Sequence, residues 1–306
     1  MKPNFLFNQD NPWKQILTFV SLMLVFAIAF SGVSMVISIL IFGKDLTTTF
    51  QIGDPNSHAA MRIIQTGSHL GLFLVPALFF VYLTNSSIKK YYHIDKSPDI
   101  QQLIMSFFLL ILSLPFIGLL YEWNMKMILP DFLKSIENWM IESEQNAKEV
   151  TEALLSTEKF GTYFFNLFIF AILPALGEEF VFRGFLMKVF AKKIKNIHLN
   201  IFLVSILFSA LHLQFFGFLP RLFLGIVLGY LYFWSKNLWI PIFVHFLNNG
   251  LTVTVYYLFN AQLIHSNPDT IGNNTPNYIY LINLLAIVGI VFWFSKKQNS
   301  QALFTD

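Results

Sequence analysis

The sequence predicts an all-α, polytopic membrane helical bundle of about eight transmembrane helices with added interfacial amphipathic helices. Three observations carry this. The chain is 55% apolar and 17% aromatic but only 12% charged, with a positive mean hydropathy of +0.59, a balance that leaves too little polar surface for a water-soluble globule. Apolar runs recur along the whole chain at about 20 residues, the length that crosses a hydrocarbon core of about 30 Å. Inside one of these runs stand adjacent acids, a costly placement at bilayer depth that usually marks a site.

The first run, Ile16 to Phe42, exceeds the apolar core of a signal peptide, about 7–15 residues, and reads as a retained span. Further spans are expected at 67–84, 101–121, 161–190, 197–215, 219–235, 238–260 and 278–295. The fifth is short and abuts the sixth through Gly217 and Pro220. The longest connection, Trp123 to Phe160, places Phe132, Leu133, Ile136, Trp139 and Met140 at i, i+1, i+4, i+7, i+8 spacing. That is an amphipathic helix suited to the membrane surface, and Ala147, Val150, Leu154 and Leu155 repeat the pattern more weakly. No Gly- or Pro-rich linker separates domains, and no repeat of about 20–50 residues is present. The chain reads as one integral membrane domain, divisible into an N-terminal region 1–160, a core 161–260 and a last span with tail 261–306.

Basic residues orient the bundle, because short cytoplasmic connections are enriched in Lys and Arg. With the N-terminus inside, the cytoplasmic segments hold Lys2, Lys14, Lys89, Lys90, Lys96, Lys188, Lys192, Lys193, Lys195, Lys236, Lys296 and Lys297. The opposite side holds Lys44, Arg62, Lys126, Lys134, Lys148, Lys159 and Arg221. Twelve against seven places both termini in the cytoplasm. The net charge of +3 reflects this bias and gives no reason to invoke nucleic acid. The absence of cysteine excludes disulfides, thiolate nucleophiles and thiolate metal ligands.

The acids are Glu178 and Glu179, within FFNLFIFAILPALGEEFVFRGFLMKVF, and Arg183 completes a Glu-Glu-x-x-x-Arg pattern. At about 100° per residue, Glu179 and Arg183 share a helix face and can pair, whereas Glu178 points about 100° from the one and about 140° from the other. Glu178 is thereby left to face something else. Pro174 cannot donate a backbone hydrogen bond and Gly177 has no side chain, so a locally opened helix is expected that lets water reach Glu178. The next spans carry matching groups: Phe208 and His212 four apart in FSALH, and His245 and Asn249 four apart in HFLNN. Counted from the turn near Lys192 to Ile197, Glu178 and His212 both lie about 21–22 Å along neighbouring antiparallel helices, with His245 and Asn249 somewhat lower. His58, His69, His93, His198 and His265 fall at span ends or in connections, where a solvated or interfacial role is expected. Gly225 and Gly229 form a Gly-x-x-x-Gly step read as close helix packing.

Glu-Glu-x-x-x-Arg, Phe-x-x-x-His and His-x-x-x-Asn, in this order and each on its own membrane helix, resemble the three signature motifs of the CPBP family. That family includes the CaaX prenyl endopeptidases of the Rce1 type and the bacterial Abi-like proteins linked to bacteriocin processing and immunity. The motifs span Glu178 to Asn249. The resemblance implies intramembrane proteolysis of a peptide or membrane-associated protein substrate by water activated on a glutamate. By position, Glu178 with His212 would polarise and deprotonate the water, His245 with Asn249 would donate to the developing oxyanion, and Glu179 with Arg183 would hold the geometry. The region 161–260 is then the catalytic core, in a multi-pass protein compatible with a bacterial inner membrane.

The family has also been described as metalloproteases, and Glu178, His212 and His245 form a permissible three-ligand zinc set. Asn249 is a poor zinc ligand and there is no His-Glu-x-x-His helix, so hydrolysis without a cofactor is the expectation. A proton- or ion-coupled transporter would also use buried Glu, Arg and His, yet here these groups concentrate in one half of the chain without a repeat in the other. A non-catalytic immunity or scaffold protein is a further alternative, against which the complete motif set argues. No residue selects a cleavage sequence, a prenylated substrate or an oligomeric state.

Overall fold

The computed structural model describes residues 11–43, 54–84, 86–266, 268 and 275–297. Lys2 and Lys44 of the charge balance lie outside the described residues. The protein is an all-α membrane bundle. Seven of the described helices are long and apolar enough to cross a membrane: α1 (Pro12–Phe42), α2 (Pro55–Leu83), α3 (Ile100–Met125), α5 (Phe160–Ala191), α7 (Phe218–Ser235), α8 (Trp239–Asn260) and α9 (Asn277–Lys297). Besides the one-turn helix Ile88–Tyr91, the described residues form the polar α4 (Lys134–Leu155) and the short apolar α6 (Ile197–Ala210). The eight apolar helices correspond to the eight expected spans, α6 being shorter than the run from which it was read.

Local chemistry sets the ends. Asn11, Asp99 and Asn196 each accept backbone N–H groups at the starts of α1, α3 and α6, satisfying donors that the first helical turn leaves open. Gly43 closes α1 in the left-handed conformation at φ 62°, which costs a glycine little. Between α6 and α7 the chain turns through Leu213 at φ 53°, so His212 stands in the turn beyond the helix end and not within a span.

Two departures from the sequence reading occur in α2. The helix begins at Pro55, well before the expected 67, and Arg62 is therefore a buried helical residue, not a residue of a connection. Apolar pattern alone hides this start because the first two turns, PNSHAAMR, are polar. Arg221 likewise belongs to the first turn of α7.

Connections at one membrane end are tied together: Asn237 donates to the Lys96 carbonyl at 2.9 Å, Lys297 pairs with Asp99 at 2.8 Å, and the Leu238 N–H reaches the His93 carbonyl at 3.3 Å. At the other end Ser156 meets Asn260 at 3.2 Å and Asn124 accepts the Leu219 N–H at 2.8 Å. Here α4 is one continuous amphipathic helix. Phe132, Ile136 and Trp139 are turned outward, while Leu154 and Leu155 are buried near its C-terminus.

The core centres on α5, which lies between α2, α6 and α8. It is not a uniform α-helix. π-helical turns occupy Phe168–Ile172 and Phe180–Leu186, and the intervening α-helical segment Leu173–Glu179 carries Pro174 in its first turn. A wider turn before the proline accommodates the backbone bond that proline cannot make. The helix is thus irregular on both sides of the acids, with two π turns flanking them.

Candidate active site

Within α5, Arg183 donates through Nη1 to Glu179 Oε1 at 2.7 Å and through Nη2 to the Gly225 carbonyl of α7 at 2.8 Å. Both members of this ion pair are fully buried. The guanidinium also stacks 4.8 Å from the centre of the Phe208 ring, a cation–π contact that suits the planar, weakly hydrated arginine. The Gly-x-x-x-Gly step makes the Gly225 contact possible: a Cβ on Gly225 would stand 3.0 Å from Ser205 Cβ and one on Gly229 2.7 Å from Ile201 Cγ2, so α7 lies directly on α6. That is the close packing expected of these glycines.

Glu179 holds a second partner. Its Oε1 accepts from His245 Nδ1 of α8 at 2.9 Å. A carboxylate in an ion pair only accepts, so Nδ1 carries the ring proton. The remaining nitrogen, Nε2, faces Glu178 Oε2 at 3.9 Å. His212 makes a parallel arrangement from the turn after α6. Its Nδ1 donates to the Phe208 carbonyl at 2.8 Å, and its Nε2 also lies 3.9 Å from Glu178 Oε2. Phe208 organises both imidazoles, with ring centres 5.2 Å from His212 and 5.8 Å from His245. That contact explains why an aromatic residue stands four before His212.

Glu178 Oε2 is buried and has no hydrogen-bond partner among the described residues. A gap of 3.9 Å to each imidazole is too long for a direct hydrogen bond, and a water seated beside the line between two such groups can bond to both. Zinc, if bound here, would be held by Glu178, His212 and His245. Ligands about 2.0–2.2 Å from a tetrahedral zinc stand about 3.3–3.5 Å apart, somewhat closer than the 3.9 Å between Glu178 Oε2 and either imidazole, and among the described residues no group of three or more His, Cys, Asp or Glu is drawn in tightly enough to hold a metal ion as it stands. Asn249 lies one turn beyond His245 on α8, and its Oδ1 accepts from Asn248 Nδ2 at 3.1 Å, leaving the Asn249 NH2 as donor.

Two groups reach this region that the sequence reading placed elsewhere. His69 is not a solvated histidine. It is buried at the start of a π turn in α2, Leu70–Leu74, its ring interacts electrostatically with both His245 and His212, and its Nε2 has no hydrogen-bond partner among the described residues. A Cβ on Gly177 would meet Phe73 Cβ at 2.8 Å and His69 Nε2 at 3.3 Å, so the glycine beside Glu178 admits α2. Arg221 is the other. It donates to the backbone and side-chain oxygens of Gln214 and lies within electrostatic reach of Glu178 and His212. Neither has a signal at the level of motif spacing, since α2 is over a hundred residues away and Arg221 reads as a loop cation. Of the other histidines, His58 lies partly buried within α2, His93 contacts Tyr232, His198 contacts Tyr230, and His265 is exposed.

Comparison with known proteins converges on this region. Residues 160–251 match the family model of type II CAAX prenyl endopeptidases, Rce1-like. The chain is 30% identical over 122 residues to the membrane-embedded CAAX protease MroQ of Staphylococcus aureus (strain USA300), a match covering 38% of this chain and 47% of that relative. The chain thus spans about half the length of the curated relative it matches. No solved structure matches it significantly.

Proposed function

We propose that this protein, whose residues 160–251 match the family model of Rce1-like CAAX prenyl endopeptidases, is an intramembrane endopeptidase that hydrolyses a peptide bond with water activated by Glu178. The observation that carries this reading is the buried Glu178 Oε2, without a hydrogen-bond partner among the described residues and 3.9 Å from an Nε2 of each of two imidazoles.

The tautomers set the roles. With its proton on Nδ1, His212 offers Nε2 as an acceptor, so a water between His212 and Glu178 meets two acceptors and is polarised toward hydroxide. The water oxygen bonds to the scissile carbonyl carbon while its proton passes to Glu178. The resulting oxyanion is received by the Asn249 NH2 and by an N–H on His245 Nε2, the ring being held through Nδ1 by Glu179. Collapse breaks the C–N bond, and the departing amine takes the proton from Glu178. Glu179 and Arg183 stay out of the chemistry and fix His245 to α5. His69 and Arg221 border the pocket and are assigned to contacts with the substrate backbone. No zinc is invoked.

The substrate class is a peptide or a membrane-associated protein. We place both termini in the cytoplasm of a bacterial cell on the strength of the lysine-rich end of the bundle.

Purified protein in detergent, given membrane-tethered peptides, tests the proposal. Glu178→Gln is expected to reduce cleavage by about 10²–10⁴-fold, the range of a lost general base, and 1,10-phenanthroline or EDTA is expected to leave the wild-type rate unchanged. Full cleavage by Glu178→Gln removes the assignment, and chelator-sensitive activity restored by zinc replaces it with the metal reading. Proton-driven uptake into liposomes without cleavage would instead identify a transporter.

A further inference from the structure

At the end of the bundle where α2 and α5 finish, the protein forms a half-open cavity of about 520 Å³ whose described lining does not include Glu178, His212 or His245. Lys90, Lys188, Lys192 and Lys195 all line it, arriving from the one-turn helix Ile88–Tyr91 and from the last turn of α5 and its following connection. Hydroxyl groups, Ser87 among them, share the wall, and no Asp or Glu is present among the described lining residues. Four ammonium groups converging on one concavity, two of them, Lys188 and Lys192, with contacts of their own, give its wall a cationic character that suits an anion. Lys188 is already directed, its Nζ donating to the Tyr91 carbonyl and lying 4.6 Å from the Tyr91 ring centre. The remainder of the wall is partly apolar, with Phe80 and Val189. The cavity also sits at a span end, the depth at which headgroups of flanking lipids lie.

We propose that this cavity binds a phosphate anion, either the headgroup phosphate of an anionic lipid or a soluble phosphate. Ammonium groups bind phosphate as point charges and serine hydroxyls add directional donors, while basic pockets between membrane helices take anionic headgroups. The site is independent of the peptidase reading because none of its residues touches Glu178, His212 or His245.

The test is retention of phosphatidylglycerol against phosphatidylcholine by the purified full chain, read by native mass spectrometry, alongside a thermal shift with inorganic phosphate. Wild type is expected to retain phosphatidylglycerol at least fivefold over phosphatidylcholine, with the preference falling as salt rises. The triple change Lys90→Gln, Lys192→Gln, Lys195→Gln is expected to lose it, while Lys126→Gln with Lys134→Gln at the opposite end keeps it. A phosphate-induced shift lost in the same triple variant, without a lipid preference, supports the soluble source. Equal retention of both lipids and no phosphate shift in wild type overturns the proposal, as does a triple variant that stays folded and binds like wild type.

Discussion

Arg183 does more than neutralise a neighbour. One guanidinium ties Glu179 of its own helix to the Gly225 carbonyl of α7 while stacking on Phe208 of α6. Removing one member of a buried pair leaves the other charged and unpaired, at a cost of about 3–5 kcal/mol. Arg183→Met is therefore expected to lower the unfolding temperature in detergent strongly. Combining it with Glu179→Gln should recover much of that stability but not cleavage, because His245 would lose the carboxylate on Nδ1. A double variant with normal cleavage would show that Glu179 has no part in orienting His245. Gly177 is the second residue with a single tolerated identity. Alanine there would press on Phe73 and His69, and overpacking costs about 1–3 kcal/mol. Gly177→Ala is expected to slow cleavage with the Arg183 anchor intact, and wild-type turnover in that variant would mean that α2 can recede without disturbing Glu178.

Among the elements, α5 is the one whose irregularity matters. Its two π turns bracket Leu173–Glu179, and the second lets Gly184 receive the Tyr92 ring, which stacks 4.5 Å from Phe180 while the Tyr92 hydroxyl donates to the Ala77 carbonyl at 2.8 Å. The acids are thus gripped on both sides, by α2 and by the Tyr92 segment. Helix α4 is held differently. Arg62 donates to Asn166 Oδ1 at 2.9 Å and to the Leu154 carbonyl, and Asn166 Nδ2 reaches the same carbonyl at 3.0 Å. This polar clip fastens the end of α4 to α2 and α5 while its Trp139 face points outward. Arg62→Met leaves a buried amide oxygen unsatisfied, a loss of about 1–3 kcal/mol. Amide hydrogen exchange in residues 150–156 is expected to accelerate, with exchange in α5 near Glu178 unchanged; uniform protection across α4 in that variant would show the clip to be dispensable.

Across the whole molecule, the lysine-rich connections gather at one end, an asymmetry that orients a bundle in its membrane. The chain has no cysteine, so single cysteines introduced at Lys96 and at Lys126 report orientation without background. An impermeant thiol reagent added to intact cells should label the second and spare the first, and the reverse pattern would invert the topology. What the residues by themselves determined is the bundle, the eight apolar helices and the motif set Glu178, Glu179, Arg183, His212, His245 and Asn249, because apolar run length and 3.6-residue periodicity are local properties. The Glu179–Arg183 pairing was legible for the same reason, being four residues apart on one helix. Only the tertiary structure decided that Phe208 seats both imidazoles, that Glu179 serves His245, that Arg62 is buried, and that His69 and Arg221 reach the site. Those contacts join residues far apart in the chain, and their partners are chosen by helix packing, which depends on glycines such as Gly177 and Gly225 whose neighbours no spacing rule can name.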